Sequence, residues 1–151
     1  MGFRTALYEC HTALNARMID FGGWEMPVQY EGVLAEHASV RNDAGVFDTS
    51  HMDAFWVSGP ESLDALSRLV TQDLRTLAVG ACRYGFLLNE DAGVIDDLIV
   101  YRMGAYEWMP VVNAGTAPAD LDWMRRHCDG DRVTIKDLRG IQGKLDVQGP
   151  N

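Results

Sequence analysis

Several scarcities narrow what this sequence can do. It has three cysteines, Cys10, Cys82 and Cys128, odd in number, far apart and in no metal-binding spacing. A disulfide framework is therefore not expected, and a reducing compartment, the cytoplasm, fits best. Cationic residues are few: 13 Lys and Arg stand against 22 Asp and Glu, a formal net charge of -9. Such a balance argues against general nucleic-acid binding and against an anionic membrane surface, since both partners are polyanions. It leaves room for a small anionic ligand, which needs only local donors. No apolar run reaches membrane-spanning length, and Met1 to Cys10 carries no signal core. Among His11, His37, His51 and His127 no two stand three to five apart, so local metal pairing is absent and no metal is implied. The glycines form neither G-x-G-x-x-G nor a phosphate loop followed by Lys-Ser/Thr.

What is present is globular: 47% of the 151 residues are hydrophobic and 23% charged, enough for a domain-sized core. The most informative stretch is Asn89 to Tyr101, N-E-D-A-G-V-I-D-D-L-I-V-Y. A turn containing Gly93 runs into an apolar strand with two adjacent aspartates. Side chains alternate across a strand, so Val94, Asp96, Leu98 and Val100 share one face and Ile95, Asp97, Ile99 and Tyr101 the other. Both faces are apolar apart from one acid each, which predicts an interior strand covered on both sides. Cys82, Tyr84, Phe86 and Leu88 alternate in the same way, predicting an antiparallel hairpin with that strand.

Elsewhere the patterns predict a short helix around Leu7, Tyr8, His11, Leu14 and Met18, then a Gly-rich aromatic loop, Phe21 to Pro27. A helix over 31–43 carries Val33, His37 and Val40 on one face. After a strand at Ala54 to Ser58, Ser58 and Glu61 have capping-box spacing before a helix bearing Leu63, Leu66 and Val70. Glu107 to Asn113 reads as a strand in which Pro110 implies an edge position or a bulge. Thr116 caps a helix that turns Leu121, Met124 and Cys128 inward. Arg132 to Ile135 and Lys144 to Val147 complete an α+β pattern with mainly antiparallel sheets and flanking helices. Gln148-Gly149-Pro150-Asn151 reads as the start of a turn, so the chain is expected to stop in mid-domain.

Asp97 is the leading functional candidate, because its face offers an apolar surface with one acid beside it. The alternative is a carboxylate bonded to backbone amides of a neighbouring loop. For Asp96 the structural role is favoured. Being adjacent, the two point to opposite sides and cannot form a carboxylate dyad. Asp48, Ser50 and His51 invite a triad reading, but adjacent residues on an extended chain point apart; hydrogen bonding at a junction is the expected role of Ser50 and His51. Cys82, on an apolar strand face, is expected to be a buried, inert thiol. Trp24, Trp56, Trp108 and Trp123 are expected to pack in the core or between subunits.

Taken in order, a series of motifs resembles the glycine-cleavage aminomethyltransferase (T-protein) family. These are Leu7-Tyr8 with His11, Asp20 to Pro27 (D-F-G-G-W-E-M-P), Glu36-His37, Gly45 to Met52 (G-V-F-D-T-S-H-M), Tyr84, Leu88-Asn89, Gly93 to Tyr101, Val111 to Ala114, Asp120 with Trp123, and Val147 to Pro150. The matches run along essentially the whole chain, while members of the family are more than twice as long. The resemblance implies the family's folate-binding fold in incomplete form, with residues 1–52 plus 138–151 in a partial first domain and 53–137 in a second, inserted one. It implies transfer of a one-carbon unit from an aminomethylated lipoyl arm, carried by the H-protein, to tetrahydrofolate, with release of ammonia. Asp97 matches the aspartate that polarises the folate nitrogens. Met52, Tyr84, Ile99, Tyr101 and Asn113 fall where members line the folate pocket. Folate is then a co-substrate. Alternatives of the same fold are a folate-dependent demethylase, the folate domain of a sarcosine or dimethylglycine dehydrogenase, and a non-catalytic folate-binding protein.

Overall fold

The computed structural model describes residues 2–128, 130 and 132–151. In chain order its elements are α1 (Tyr8–Ala13), β1 (Arg17–Phe21), β2 (Trp24–Gln29), α2 (Val33–Asn42), β3 (Gly45–Asp48), β4 (Asp53–Ser58), α3 (Ser62–Leu69), β5 (Cys82–Leu88), β6 (Val94–Arg102), β7 (Glu107–Val112), α4 (Ala117–His127), β8 (Thr134–Asp137) and β9 (Leu145–Gln148). The strand ladders are all antiparallel, as an α+β fold requires. The chain gathers into two compact units, Met1–His51 with Gln142–Asn151, and Met52–Ile141.

In the first unit, Phe21 to Pro27 is a hairpin and not the expected loop. Gly22 and Gly23 take φ of 60° and 87°, the left-handed pair that a tight two-residue turn between twisted strands demands. β3 pairs with β9. Ser50 bonds at this junction: its hydroxyl accepts from the Lys144 N–H at 3.1 Å, and it lies 3.2 Å from the Lys144 carbonyl. Asp48 is the polar centre of the unit, accepting from Thr5, from the Ser50 N–H at 3.0 Å and from His11 Nε2 at 2.9 Å, while His11 Nδ1 meets the Tyr30 hydroxyl. Of the helical faces expected here, only His11 buries. Leu14 is exposed, Met18 belongs to β1, and no residue of α2 is buried within the chain.

The second unit is one five-stranded sheet in the order β5-β6-β7-β4-β8. One face carries the core: Phe55, Val57, Leu87, Leu98, Val100, Trp108 and Val112 pack with Ala65, Leu66 and Leu69 of α3 and with Ala117, Leu121, Met124 and Cys128 from α4 and its end. α3 starts at Ser62 without a capping box; Ser58 remains in β4, and Glu61 instead accepts from Arg132, at 3.0 Å from its N–H and 2.7 Å from its Nε. The buried Ser62 hydroxyl donates to the Tyr106 carbonyl at 3.1 Å. Pro110 also departs from expectation. β7 is interior, and its ladder with β4 lapses at Pro110 and Met109, where Phe55 and Trp56 pair only with β8. A gap in one ladder accommodates the missing N–H without moving the strand to an edge.

Candidate active site

β6 lies between β5 and β7, but only one of its faces is covered. Asp96, Leu98 and Val100 are buried against the core, whereas Asp97 is exposed and Ile99 and Tyr101 are half-buried. The expectation of a strand enclosed on both sides is thus corrected: its second apolar face is open surface. Ile95 leaves the alternation as well. Leu87 pairs with Asp96 and Leu88 with Val94, so Ile95 is the extra residue of a β-bulge, and it packs against the core.

The register assembles the open face. Phe86 lies opposite Asp97, Tyr84 opposite Ile99, and Cys82 opposite Tyr101 on β5; Val111 and Met109 lie opposite Ile99 and Tyr101 on β7. Directly opposed residues project to the same side. Cys82 is accordingly exposed, not buried as its alternation with apolar residues implied. Tyr84 and Phe86 are 56% and 37% exposed, with ring centroids 5.6 Å apart in an edge-to-face arrangement. Partial burial, followed by the negative charge of Asp97 and a hydrogen bond to it, raises the Tyr84 phenol above its ordinary value. Met52 directly precedes β4, and the Asp53–Val112 pairing sets it level with Asn113.

Asn113, at the end of β7, ties the two aspartates together. Its side-chain amide nitrogen donates to Asp96 Oδ1 and to Asp97 Oδ1, each at 2.9 Å, and approaches the Asp97 carbonyl at 3.3 Å. Three surrounding oxygens require the NH2 group at that position, which turns the Asn113 carbonyl away from them. The exposed Asp97 carboxylate, which the Tyr84 phenol also approaches, then offers an acceptor beside an aromatic surface. Such an arrangement matches a flat ligand that presents N–H donors.

Asp96 proves to be the acid that accepts a backbone amide: the Asn113 N–H reaches Asp96 Oδ2 at 3.0 Å, and the Thr116 hydroxyl lies 2.8 Å from it. Thr116 occupies the N-cap position of α4, but its hydroxyl serves Asp96 and the Asn113 carbonyl in place of the helix amides expected of a cap. Burial pushes Asp96 up, yet these donors outweigh it and hold the carboxyl below its ordinary value. Asp120, in the first turn of α4, is fully buried beside Asp96. Sequence reasoning gave Asp120, Phe86, Val111 and Met109 no role. Asp120 had a legible signal, an acid one residue from Leu121 and three from Ala117, within the stripe that faces the core.

The second unit is thus an antiparallel α+β domain with one packed face and one open aromatic face that holds a carboxylate. Comparison with known proteins is specific. Residues 7–151 match the model of the GCVT N-terminal domain, and the chain belongs to that family. It is 44% identical over 147 residues to the aminomethyltransferase of Herpetosiphon aurantiacus, and 43% identical over 148 residues to that of Chlorobium luteolum. Each alignment covers 97% of this chain but only 41% and 40% of those relatives. The crystal structure of glycine cleavage system aminomethyltransferase T from Bartonella henselae superposes on the whole chain with a TM-score of 0.93 at 39% identity, covering 42% of that protein. The chain thus spans about two fifths of the length of the relatives it matches.

Proposed function

We propose that this chain provides the folate-facing sheet of an aminomethyltransferase of the glycine cleavage system, with Asp97 as its catalytic acid. The observation that carries the reading is the exposed Asp97 carboxylate, held by the Asn113 amide at Oδ1 and approached by the Tyr84 phenol, on a face lined by Tyr84, Phe86, Ile99 and Tyr101. Membership of a family whose relatives are named aminomethyltransferases supplies the reaction class.

In this reading tetrahydrofolate is a co-substrate whose ring nitrogens receive the one-carbon unit. Asp97 accepts a hydrogen bond from a ligand N–H, holds that proton as the nitrogen attacks, and stabilises the cationic character that develops. Tyr84, Ile99 and Tyr101 cover one side of the flat ring system, and Met52 borders it beside Asn113. Asn113 keeps the Asp97 carboxylate oriented. The lipoylated H-protein is the proposed donor of the one-carbon unit, and ammonia the second product. The cytoplasm is the proposed compartment, which suits the exposed thiols Cys10 and Cys82.

Tetrahydrofolate titrations by calorimetry test the assignment. A charge-assisted hydrogen bond contributes roughly 1.5–3 kcal/mol, so Asp97→Asn is expected to weaken binding by about ten- to a hundredfold, and Tyr84→Leu by a smaller factor. Unchanged affinity in Asp97→Asn would remove Asp97 from the site.

A further inference from the structure

We propose that Asp120 is a positioning residue for Asp97: a neutral, proton-carrying carboxyl that acts through Asp96 and Asn113. The proposal rests on the folate reading of the Asp97 face, and it concerns a buried acid to which that reading gives no task.

The geometry decides where the proton sits. Asp120 is 0% exposed and Asp96 7%, and their carboxyl groups meet between α4 and β6. Two carboxyls in contact in a dry interior do not both ionise. Asp96 accepts from the Asn113 N–H, the Asn113 side-chain amide and the Thr116 hydroxyl. Neither oxygen of Asp120 has a donor. Thr116 carries a single proton, for which Asp96 Oδ2 at 2.8 Å and the Asn113 carbonyl at 3.1 Å compete, so its opposing pull on Asp120 is the smallest of the influences there. The ionised member is therefore Asp96. A proton on Asp120, donated to Asp96, gives Asp120 a hydrogen bond and Asp96 a further donor, and leaves one negative charge on the pair. Burial first, and the charge of Asp96 second, push the Asp120 carboxyl up to about 7.

The consequence reaches the open face. The single charge on Asp96 orients both donors of Asn113, and the Asn113 side chain in turn holds Asp97 Oδ1. Loss of that proton to solvent would leave two negative charges in contact, and their repulsion would push Asp96 off its donors and loosen its hold on Asn113. Among the described residues of the packed helices, Asp64 and Arg68 of α3 and Asp122, Arg125 and Arg126 of α4 are exposed, and His127 stacks on Trp123. From β5, Arg83 is committed to the Asp73 carbonyl and Thr76. The remaining titratable groups that face the relay are Asp97 and Tyr84, on its open side.

The test uses Asp120→Asn, which keeps a neutral donor of the same shape, and Asp120→Leu, which removes it. Two measurements are made: tetrahydrofolate affinity on either side of pH 7, and the side-chain resonances of carbon-13-labelled aspartate and nitrogen-15-labelled asparagine in the ligand-free protein. The wild type should show an aspartate titrating near pH 7 that is lost in Asp120→Asn, with Asp97 and Asn113 signals moving at the same midpoint. Asp120→Asn should retain affinity within about twofold and lose the pH dependence near that midpoint, while a folded Asp120→Leu should bind about tenfold more weakly. An Asp120 that titrates in the ordinary carboxylate range, or equal losses in both folded variants, overturns the proposal. Should Asp120→Leu fail to fold, the resonances of the wild type and Asp120→Asn decide. Should the wild type not bind tetrahydrofolate, the folate reading fails separately, and coupled or uncoupled movement of Asp97 and Asn113 still supports or overturns the relay.

Discussion

Asn113 makes the sharpest residue-scale case, because one amide group serves two acids on opposite faces of a strand. Asn113→Ala strips Asp96 of a buried charge-assisted donor and frees Asp97. Thermal or denaturant unfolding should register roughly 1–3 kcal/mol of lost stability, accompanied by weaker tetrahydrofolate binding. Loss of stability with unchanged affinity would separate Asn113 from the open face. Alternation along β6 was enough to place Asp97 and Asp96 on opposite sides, and the structure keeps them there. The tie between them was not legible. It depends on the β7–α4 turn bringing Asn113 and Thr116 to Asp96, contacts 17 and 20 residues distant in sequence. Nor was the exposure of Cys82 legible, since an apolar face looks the same in sequence whether the fold covers it or leaves it to a ligand.

Among the elements, the β5–β6 hairpin was readable from its two alternating runs, while its details follow local chemistry. The turn residue with positive φ is Ala92, at 61°, and not Gly93. The Asn89 side chain sets this geometry by accepting from the Asp91 and Gly93 N–H groups at 3.1 and 2.7 Å. Replacing Ala92 by Gly should therefore be tolerated or mildly stabilising in thermal unfolding. Gly85 is different: a Cβ there would stand 2.0 Å from Gln72 Oε1, where the segment after α3 crosses β5. Gly85→Ala is expected to cost roughly 1–3 kcal/mol in denaturant unfolding, because the buried Gln72 side chain must leave its place and its contact with the Arg83 carbonyl. Pro110 shows the limit of a residue rule. The missing donor was read correctly, but a lapse in one ladder satisfies it as well as an edge does.

For the molecule as a whole, the predictions concern pH and the distribution of stability. Burial pushes Asp48 up, but hydrogen bonds from Ser50, Thr5 and His11 outweigh it and lower the carboxyl from 3.8 to about 2. A lowered native value stabilises the fold above the ordinary carboxylate range, and that stability is lost as pH falls from about 4 through about 2, roughly 2 kcal/mol in all. Asp48→Asn should flatten this acid limb of a stability–pH curve. Asp120 works in the opposite sense. Its raised native value means that the unfolded chain releases the proton first, so stability falls as pH rises from about 4 through about 7 and is level beyond. Asp120→Asn should remove the part of that decline that continues to about 7, leaving the part below about 6 that comes from Asp53, whose carboxyl burial pushes up to about 6. The apolar core lies in the unit Met52–Ile141, while Val33, Leu34, Val46, Phe47, Leu145 and Val147 of the other unit are exposed. Amide exchange should consequently be slowest in β4, β6, β7 and α4.

The central claim is that the open face of the five-stranded sheet receives tetrahydrofolate at Asp97. Mapping tetrahydrofolate-induced changes in the nuclear magnetic resonance spectrum of the labelled protein tests it most directly. The predicted changes centre on Met52, Tyr84, Phe86, Asp97, Ile99, Tyr101 and Asn113, and they collapse in Asp97→Asn. Changes centred on α3, on the outer side of α4 or in Met1–His51, with the Asp97 face unmoved, would contradict it.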